Sequence, residues 1–338
     1  MKSDVRLFAC ITTIQPPTKA VLGLNAHLQR VGGQMVVAGD RKGPASFDLP
    51  GCDFLSLDAQ LKSGFNLAGK LPVGHYARKN VAYLHAIRGG AGCIYETDDD
   101  NEPLDSWHQR SRELTGARAI ASTEKGWMNV YRYFSADKSI WPRGFPLEQL
   151  ARPVPAAECS STQRYAPVQQ GLANGSPDVD AVWRLTQDRP FTFDQATSVW
   201  LGPGQWCPFN TQTTWWWPEV YPLLYVPSYC SFRMCDIWKS FVAQRCLWAM
   251  GAGVAFHAPE VYQDRNPHNY LRDFEDEVPG YLQNAKIAKI LEPLTLSRGA
   301  HDVGANLRVC YAALVENNII PAQELDLVDA WLHDLNGA

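Results

Sequence analysis

The sequence predicts an α/β fold with a mostly parallel central sheet and an α-helical C-terminal extension. Three observations carry this expectation. Apolar, β-prone runs alternate with helical patterns through the first hundred residues, as in βαβ units on a parallel sheet. The run Cys93-Ile94-Tyr95 feeds directly into Asp98-Asp99-Asp100, so an acidic loop begins where a buried strand ends. From Phe274 onward the apolar spacing is helical. Residues 1–270 are expected to form the main domain, and residues 271–338 a helical extension packed on it.

Val5–Thr13 reads as a buried strand opening into the Pro16-Pro17-Thr18 loop. Thr18 is placed to cap a helix reaching Arg30, with Ala20, Leu24 and Leu28 among its apolar positions and Gly32-Gly33 as its stop. Gln34–Ala38 is a second strand ending at Gly39-Asp40, and Cys52–Leu57 a short third. Tyr76–Arg88 is helical by pattern and is closed by Gly89-Gly90. Gln149–Ser176, rich in Pro, Ala, Ser and Gln, reads as a surface connection. Gly202–Pro227, with Trp215-Trp216-Trp217-Pro218, is expected to form an irregular cleft wall. Asp236 to Met250 reads as a helix with Asp236 as its N-cap and Gly251 at C′, followed by a short strand, Gly253–Ala258. Three helical stretches complete the chain, the last two spanning Ala305–Asn317 and Ala322–Leu335.

Composition narrows the function. Among 338 residues, 46% are hydrophobic and 20% charged, and the formal charge of −4 gives no electrostatic case for nucleic acid. Nine cysteines with irregular spacing, and no Cys-x-x-Cys pair, exclude a disulfide framework and a zinc ribbon. No signal peptide or membrane span is expected, and reduced thiols point to the cytoplasm. No Walker loop, dinucleotide fingerprint or Gly-x-Ser-x-Gly appears.

Three adjacent carboxylates repel one another unless a cation offsets them. Asp98 and Asp100 are spaced to act as hard oxygen ligands, which suits Mg²⁺ or Mn²⁺ bridging a diphosphate. An acidic loop with Asp98 or Asp99 capping a helix is the plainer alternative. Asp40 lies at a second strand end, and such ends are where open α/β sheets bind ligands. His75-Tyr76-Ala77-Arg78-Lys79-Asn80 is a basic cluster at a helix start, suited to a diphosphate or to a solvated turn. In Trp141-Pro142-Arg143-Gly144-Phe145-Pro146 a stiff turn holds Arg143, able to clamp phosphate or serve structure alone. His257 and His268 are candidate third metal ligands, with core or surface histidine as the default.

Several motifs follow in order: Tyr76-x-Arg-Lys-Asn80, Glu96-Thr-Asp-Asp-Asp-Asn101, Trp141-Pro-Arg-Gly-Phe-Pro-Leu147, Gly171-Leu-Ala-Asn-Gly-x-Pro-Asp-Val-Asp180, Asp236-Ile-Trp238 and Arg272-Asp-Phe-Glu-Asp-Glu277. Together they resemble the STELLO-type glycosyltransferases over about residues 5 to 290. A more distant resemblance is to the reversibly glycosylated polypeptides, the UDP-arabinopyranose mutases. The shared features are an Asp triple at a strand end, an Arg-Gly-Tyr-Pro segment (Phe145 replaces the tyrosine here) and a later Asp-Met-Trp-like helix start.

Both resemblances imply a GT-A-like nucleotide-binding sandwich over residues 1–270 that uses a nucleotide sugar and a divalent metal. The expected activity is metal-dependent glycosyl transfer from a nucleotide sugar, with a UDP-sugar expected, to a glycan or sugar acceptor. On this reading Asp98 and Asp100 hold Mn²⁺ or Mg²⁺, while Asp99 binds metal, ribose or sugar. Asp40 contacts the nucleoside, and Arg78 with Asn80 the diphosphate or sugar. Arg143 lies against the donor sugar, and Asp236 serves the acceptor as base or hydroxyl ligand. One alternative is a pyranose/furanose mutase that parks the sugar on Arg143. Another is a non-catalytic sugar-binding or scaffold protein. The acceptor, the sugar and the oligomeric state are left open by the sequence.

Overall fold

The computed structural model describes residues 5–265 and 269–337. Its centre is an eleven-stranded mixed sheet. The strands are β1 (Leu7–Thr13), β2 (Gln34–Gly39), β3 (Cys52–Leu55), β4 (Cys93–Thr97), β5 (Asn101–Pro103), β6 (Arg118–Ile120), β7 (Ala157–Cys159), β8 (Val168–Gly175), β9 (Val199–Leu201), β10 (Thr213–Trp216) and β11 (Val254–Gln263). Their order is β3-β2-β1-β4-β10-β8-β11-β9-β6-β7, with β5 paired to β11. The first four run parallel. β10 then enters antiparallel to both β4 and β8, and β8 and β11 are parallel again.

The helices are α1 (Lys19–Val31), α2 (Leu57–Leu61), α3 (Asn66–Lys70), α4 (Lys79–Arg88), α5 (Ala181–Thr186), α6 (Cys235–Ala249), α7 (Tyr270–Leu291), α8 (Val303–Glu316) and α9 (Gln323–Asn336). α1 is capped at Thr18, as its sequence predicts. Period-two alternation divides the sheet residues between two cores. Leu7, Ala9 and Ile11 of β1 join Val21, Leu24 and Leu28 of α1 on one face. Phe8 and Cys10 face a larger core with Val81 and Leu84 of α4, Phe241 of α6, Leu307 of α8 and Trp331 of α9. The C-terminal helices also reach the N-terminal half: Asp334 accepts the amides of Asn66 (3.0 Å) and Leu67 (2.8 Å) at the start of α3.

β7, β8 and β10 lie where the sequence reads as irregular. The expected surface connection Gln149–Ser176 ends in β8, which sits mid-sheet. Its sequence, Val-Gln-Gln-Gly-Leu-Ala-Asn-Gly, hides this because its polar side chains are satisfied internally. Gln169 donates to the Ser111 carbonyl at 2.7 Å and Gln170 bonds Asn210. The expected cleft wall contains β10, where Trp215 packs into one core and Trp216 into the other. A strand buried on both faces reads as a continuous apolar run, so the tryptophans are core. β11 is ten residues long where a short strand is expected. α6 begins at Cys235 with Met234 as its N-cap, so Asp236 occupies the first turn instead of capping it.

Candidate functional site

A cleft of about 440 Å³ opens where β1, β2, β4 and β11 end. Thr13, Asp40, Tyr76 and the Asp98–Asp100 triple line it, together with Arg143, Asp178, Arg233 and Asp236. Asn210, Thr211 and Gln212, just before β10, and Gln263 complete its base.

The three aspartates have three different environments. Oδ1 of Asp98 accepts from the Tyr76 hydroxyl at 2.6 Å and from Lys79 Nζ at 3.0 Å. That ammonium is fully buried and also donates to the carbonyls of Thr97 (2.6 Å) and Thr211 (3.3 Å), tying β4 to the segment entering β10. Burial and the carboxylates of Asp98 and Asp236 hold the Tyr76 phenol well above its ordinary range, so it remains a donor. Asp99 turns away to the Thr13 hydroxyl at the end of β1. Burial pushes its carboxyl up.

Asp100 accepts the Gln263 amide at 3.0 Å on Oδ2, while its Oδ1 is buried without a hydrogen-bond partner. Burial and the nearby Asp98 charge push this carboxyl up to about 7. A buried, unpartnered carboxylate oxygen beside a second carboxylate fits a hard divalent cation. Among the described residues, no group of three His, Cys, Asp or Glu side chains could hold a metal by itself.

Elsewhere in the cleft lining, Arg143 is clamped between carboxylates. Its Nε donates to Asp178 at 2.7 Å, and its two terminal nitrogens donate to Asp236 at 2.9 and 2.6 Å. Burial works against this cation, yet the two carboxylates more than offset it and hold its pKa well above the ordinary value. Burial likewise opposes the Asp178 charge, and Arg143 overcomes it to leave Asp178 below the usual carboxylate range. The stiff turn is as expected. Gly144 has φ +86° and an added Cβ would lie 2.4 Å from Ile237, so a side chain there would displace the turn from α6.

Asp40 reaches the cleft rim at the end of β2, where its carboxylate accepts the amides of Gly74 and His75 at 2.8 to 3.0 Å. Phe232 stands at the mouth, 53% exposed, edge-on to His75 and Tyr76.

Other expected site residues lie elsewhere. Arg78 is fully buried, donating to Gln60 and to the Ala68 and Leu71 carbonyls, so it braces the segment around α2 and α3 and does not line the cleft. Asn80 makes a two-way pair with the Val226 backbone, again outside the cleft. His257 is buried on β11 between Ser198 (2.6 Å) and Gln169 (2.8 Å), away from the aspartates and unsuited to ligate a metal with them. His268 lies outside the described residues. The basic cluster does supply the cleft, but through His75 and Tyr76, with the buried Lys79 holding Asp98 from behind. Asp178 carries a signal in the Pro-Asp-Val-Asp motif. Gln263 carries none and is brought to Asp100 by pairing of β11 with β5.

The fold and cleft define the class as a GT-A-like α/β sandwich with its site at strand ends. A family model described as STELLO glycosyltransferases matches residues 233–338, which include Arg233, Asp236 and Gln263 of the cleft. The chain is 29% identical over 349 residues to the Arabidopsis thaliana protein named "Probable glycosyltransferase STELLO2", covering 96% of this chain and 44% of that one. It is also 29% identical over 328 residues to "Probable glycosyltransferase STELLO1" of the same plant, covering 90% and 41%. The chain thus spans less than half the length of these curated relatives. The match to the family model and the likeness over most of the chain support the STELLO-type family, as the ordered motifs imply. Among the described residues, no helix is long and apolar enough to cross a membrane.

Proposed function

We propose that this chain is a metal-dependent glycosyltransferase that takes a nucleotide sugar, with UDP as the favoured nucleotide. The observation that carries this reading is that Asp98, Asp100 and Arg143 line one cleft, with Oδ1 of Asp100 buried and without a hydrogen-bond partner among the described residues. Asp98 and Asp100 would hold Mn²⁺ or Mg²⁺, which when bound neutralises charge on the departing diphosphate. Lys79 and Tyr76 orient Asp98, and Thr13 orients Asp99. Asp40 braces the Gly74-His75 rim against which a nucleoside would lie. Arg143, fixed by Asp178 and Asp236, presents a rigid cation toward the sugar. Asp236, held bidentately, serves to position Arg143.

The mutase alternative requires Arg143 to give up a proton and attack the sugar. Its double carboxylate clamp favours the charged form and opposes that step. The test is nucleotide-sugar turnover with Mn²⁺. Asp98→Ala and Asp100→Ala should each lose about 100-fold or more, corresponding to several kcal/mol of charge stabilisation. Undiminished, metal-independent turnover in both variants would overturn the reading.

A further inference from the structure

The two carboxylates proposed to hold the cation are not equivalent. Asp98 already faces the buried ammonium of Lys79 at 3.0 Å, so much of its charge is compensated within the protein. Among the described residues no ion pair is seen for Asp100. Its only side-chain partner among the described residues is the neutral amide of Gln263, 3.0 Å from Oδ2, and Oδ1 has none. The contact is built into the sheet. Gln263 closes β11 directly opposite Asn101 of β5, the residue that follows Asp100. On its other side Gln263 pairs with Gly175 of β8, and its carbonyl accepts the Ser176 amide at 3.2 Å.

We infer that Gln263 is a positioning residue for the divalent cation: it pins one oxygen of Asp100 and reserves the other, Oδ1, for the metal. This rests on the metal-dependent reading above. A neutral donor suits the task because it orients a carboxylate without cancelling the charge the cation needs, as a lysine would. Hydrogen bonds that hold ligating carboxylates characteristically matter almost as much as the ligands themselves.

Mn²⁺ binding to the full chain, followed by electron paramagnetic resonance with UDP present, tests this. Gln263→Met keeps the volume and removes the donor, and it should weaken Mn²⁺ binding about 10–100-fold and alter the bound-ion spectrum. UDP binding without metal should be unchanged. Gln263→Asn keeps the amide but is one methylene shorter, and should show the same loss if the methionine variant folds poorly. Wild-type Mn²⁺ affinity in a folded variant would overturn the positioning role alone. Failure of the wild-type chain to bind Mn²⁺ with UDP would overturn the metal-dependent reading and this inference with it.

Discussion

Lys79 Nζ lies 3.0 Å from Oδ1 of Asp98, with the lysine side chain wholly buried and the aspartate 30% exposed at the cleft. The pair joins the start of α4 to the end of β4. Because the same ammonium also serves two carbonyls and the Tyr76 hydroxyl, it is saturated. Its role is to set the strand end, leaving no donor for a substrate. Lys79→Met should cost about 3 kcal/mol, as removal of one partner leaves buried acceptors unpaired. Urea unfolding measures this, and a loss below about 1 kcal/mol would contradict it.

Arg143 is held by geometry that a lysine cannot reproduce, because one ammonium cannot meet Asp178 and both oxygens of Asp236 together. Arg143→Lys should lower stability by about 2–4 kcal/mol and turnover by at least tenfold. Intact-mass spectrometry of the wild-type chain after incubation with UDP-sugars should show no sugar adduct. An adduct lost in Arg143→Lys would favour the mutase chemistry.

His257 is neutral in the folded chain because burial, together with the charge of Arg110, depresses its pKa well below the ordinary value. With Gln169 accepting at Nε2 and the Ser198 hydroxyl bonding Nδ1, both ring nitrogens are satisfied without a second ring proton. Below about pH 6.5 the unfolded chain takes up a proton that the folded chain refuses. Stability contributed by this histidine should therefore fall as pH drops below about 6.5, with a limiting slope of about 1.4 kcal/mol per pH unit. Denaturant unfolding of His257→Gln should have a shallower pH dependence over pH 5 to 6.5.

Gly144 should not tolerate alanine, given its positive φ and the approach of an added Cβ to Ile237. Gly144→Ala is expected to cost about 1–3 kcal/mol and to misplace Arg143, lowering turnover while leaving Mn²⁺ binding intact. Equal losses in both would argue against separate roles for Arg143 and the aspartate triple.

The parts legible in the sequence are those whose signals are local. Thr18 before a periodic apolar stretch identifies α1, and the aspartates follow a short β-prone run at a strand end. The Pro-Arg-Gly turn likewise identifies a held arginine from three adjacent residues. The basic cluster is legible only as a cluster. Which of its members faces the cleft depends on local helix phase, and that turns Arg78 inward to Gln60 and two carbonyls and Asn80 to the Val226 backbone, while Tyr76 and Lys79 meet Asp98. β8 and β10 are hidden for opposite reasons. One buries glutamines whose amides are satisfied internally, and the other, Thr-Thr-Trp-Trp, is buried on both faces, so no polar–apolar alternation marks it. Gln263 lies 163 residues from Asp100, a separation that only the sheet ladder closes.

The reversed strand β10 also dictates when the cleft can exist during synthesis. β4 with its aspartates emerges early, but its neighbour β10 and the Asp100 partner on β11 come much later. At about 5–20 residues per second, the 163 residues from Asp100 to Gln263 take about 10–30 s to make. Until Thr213–Trp216 are made, part-way through that interval, the edge of β4 has no sheet partner on the β10 side, and an unpaired strand invites intermolecular pairing. A nascent chain halted before Val254 carries every carboxylate of the triple and lacks the strand that orients the last of them. The cleft is thus a late product of translation, complete only once β11 has been made.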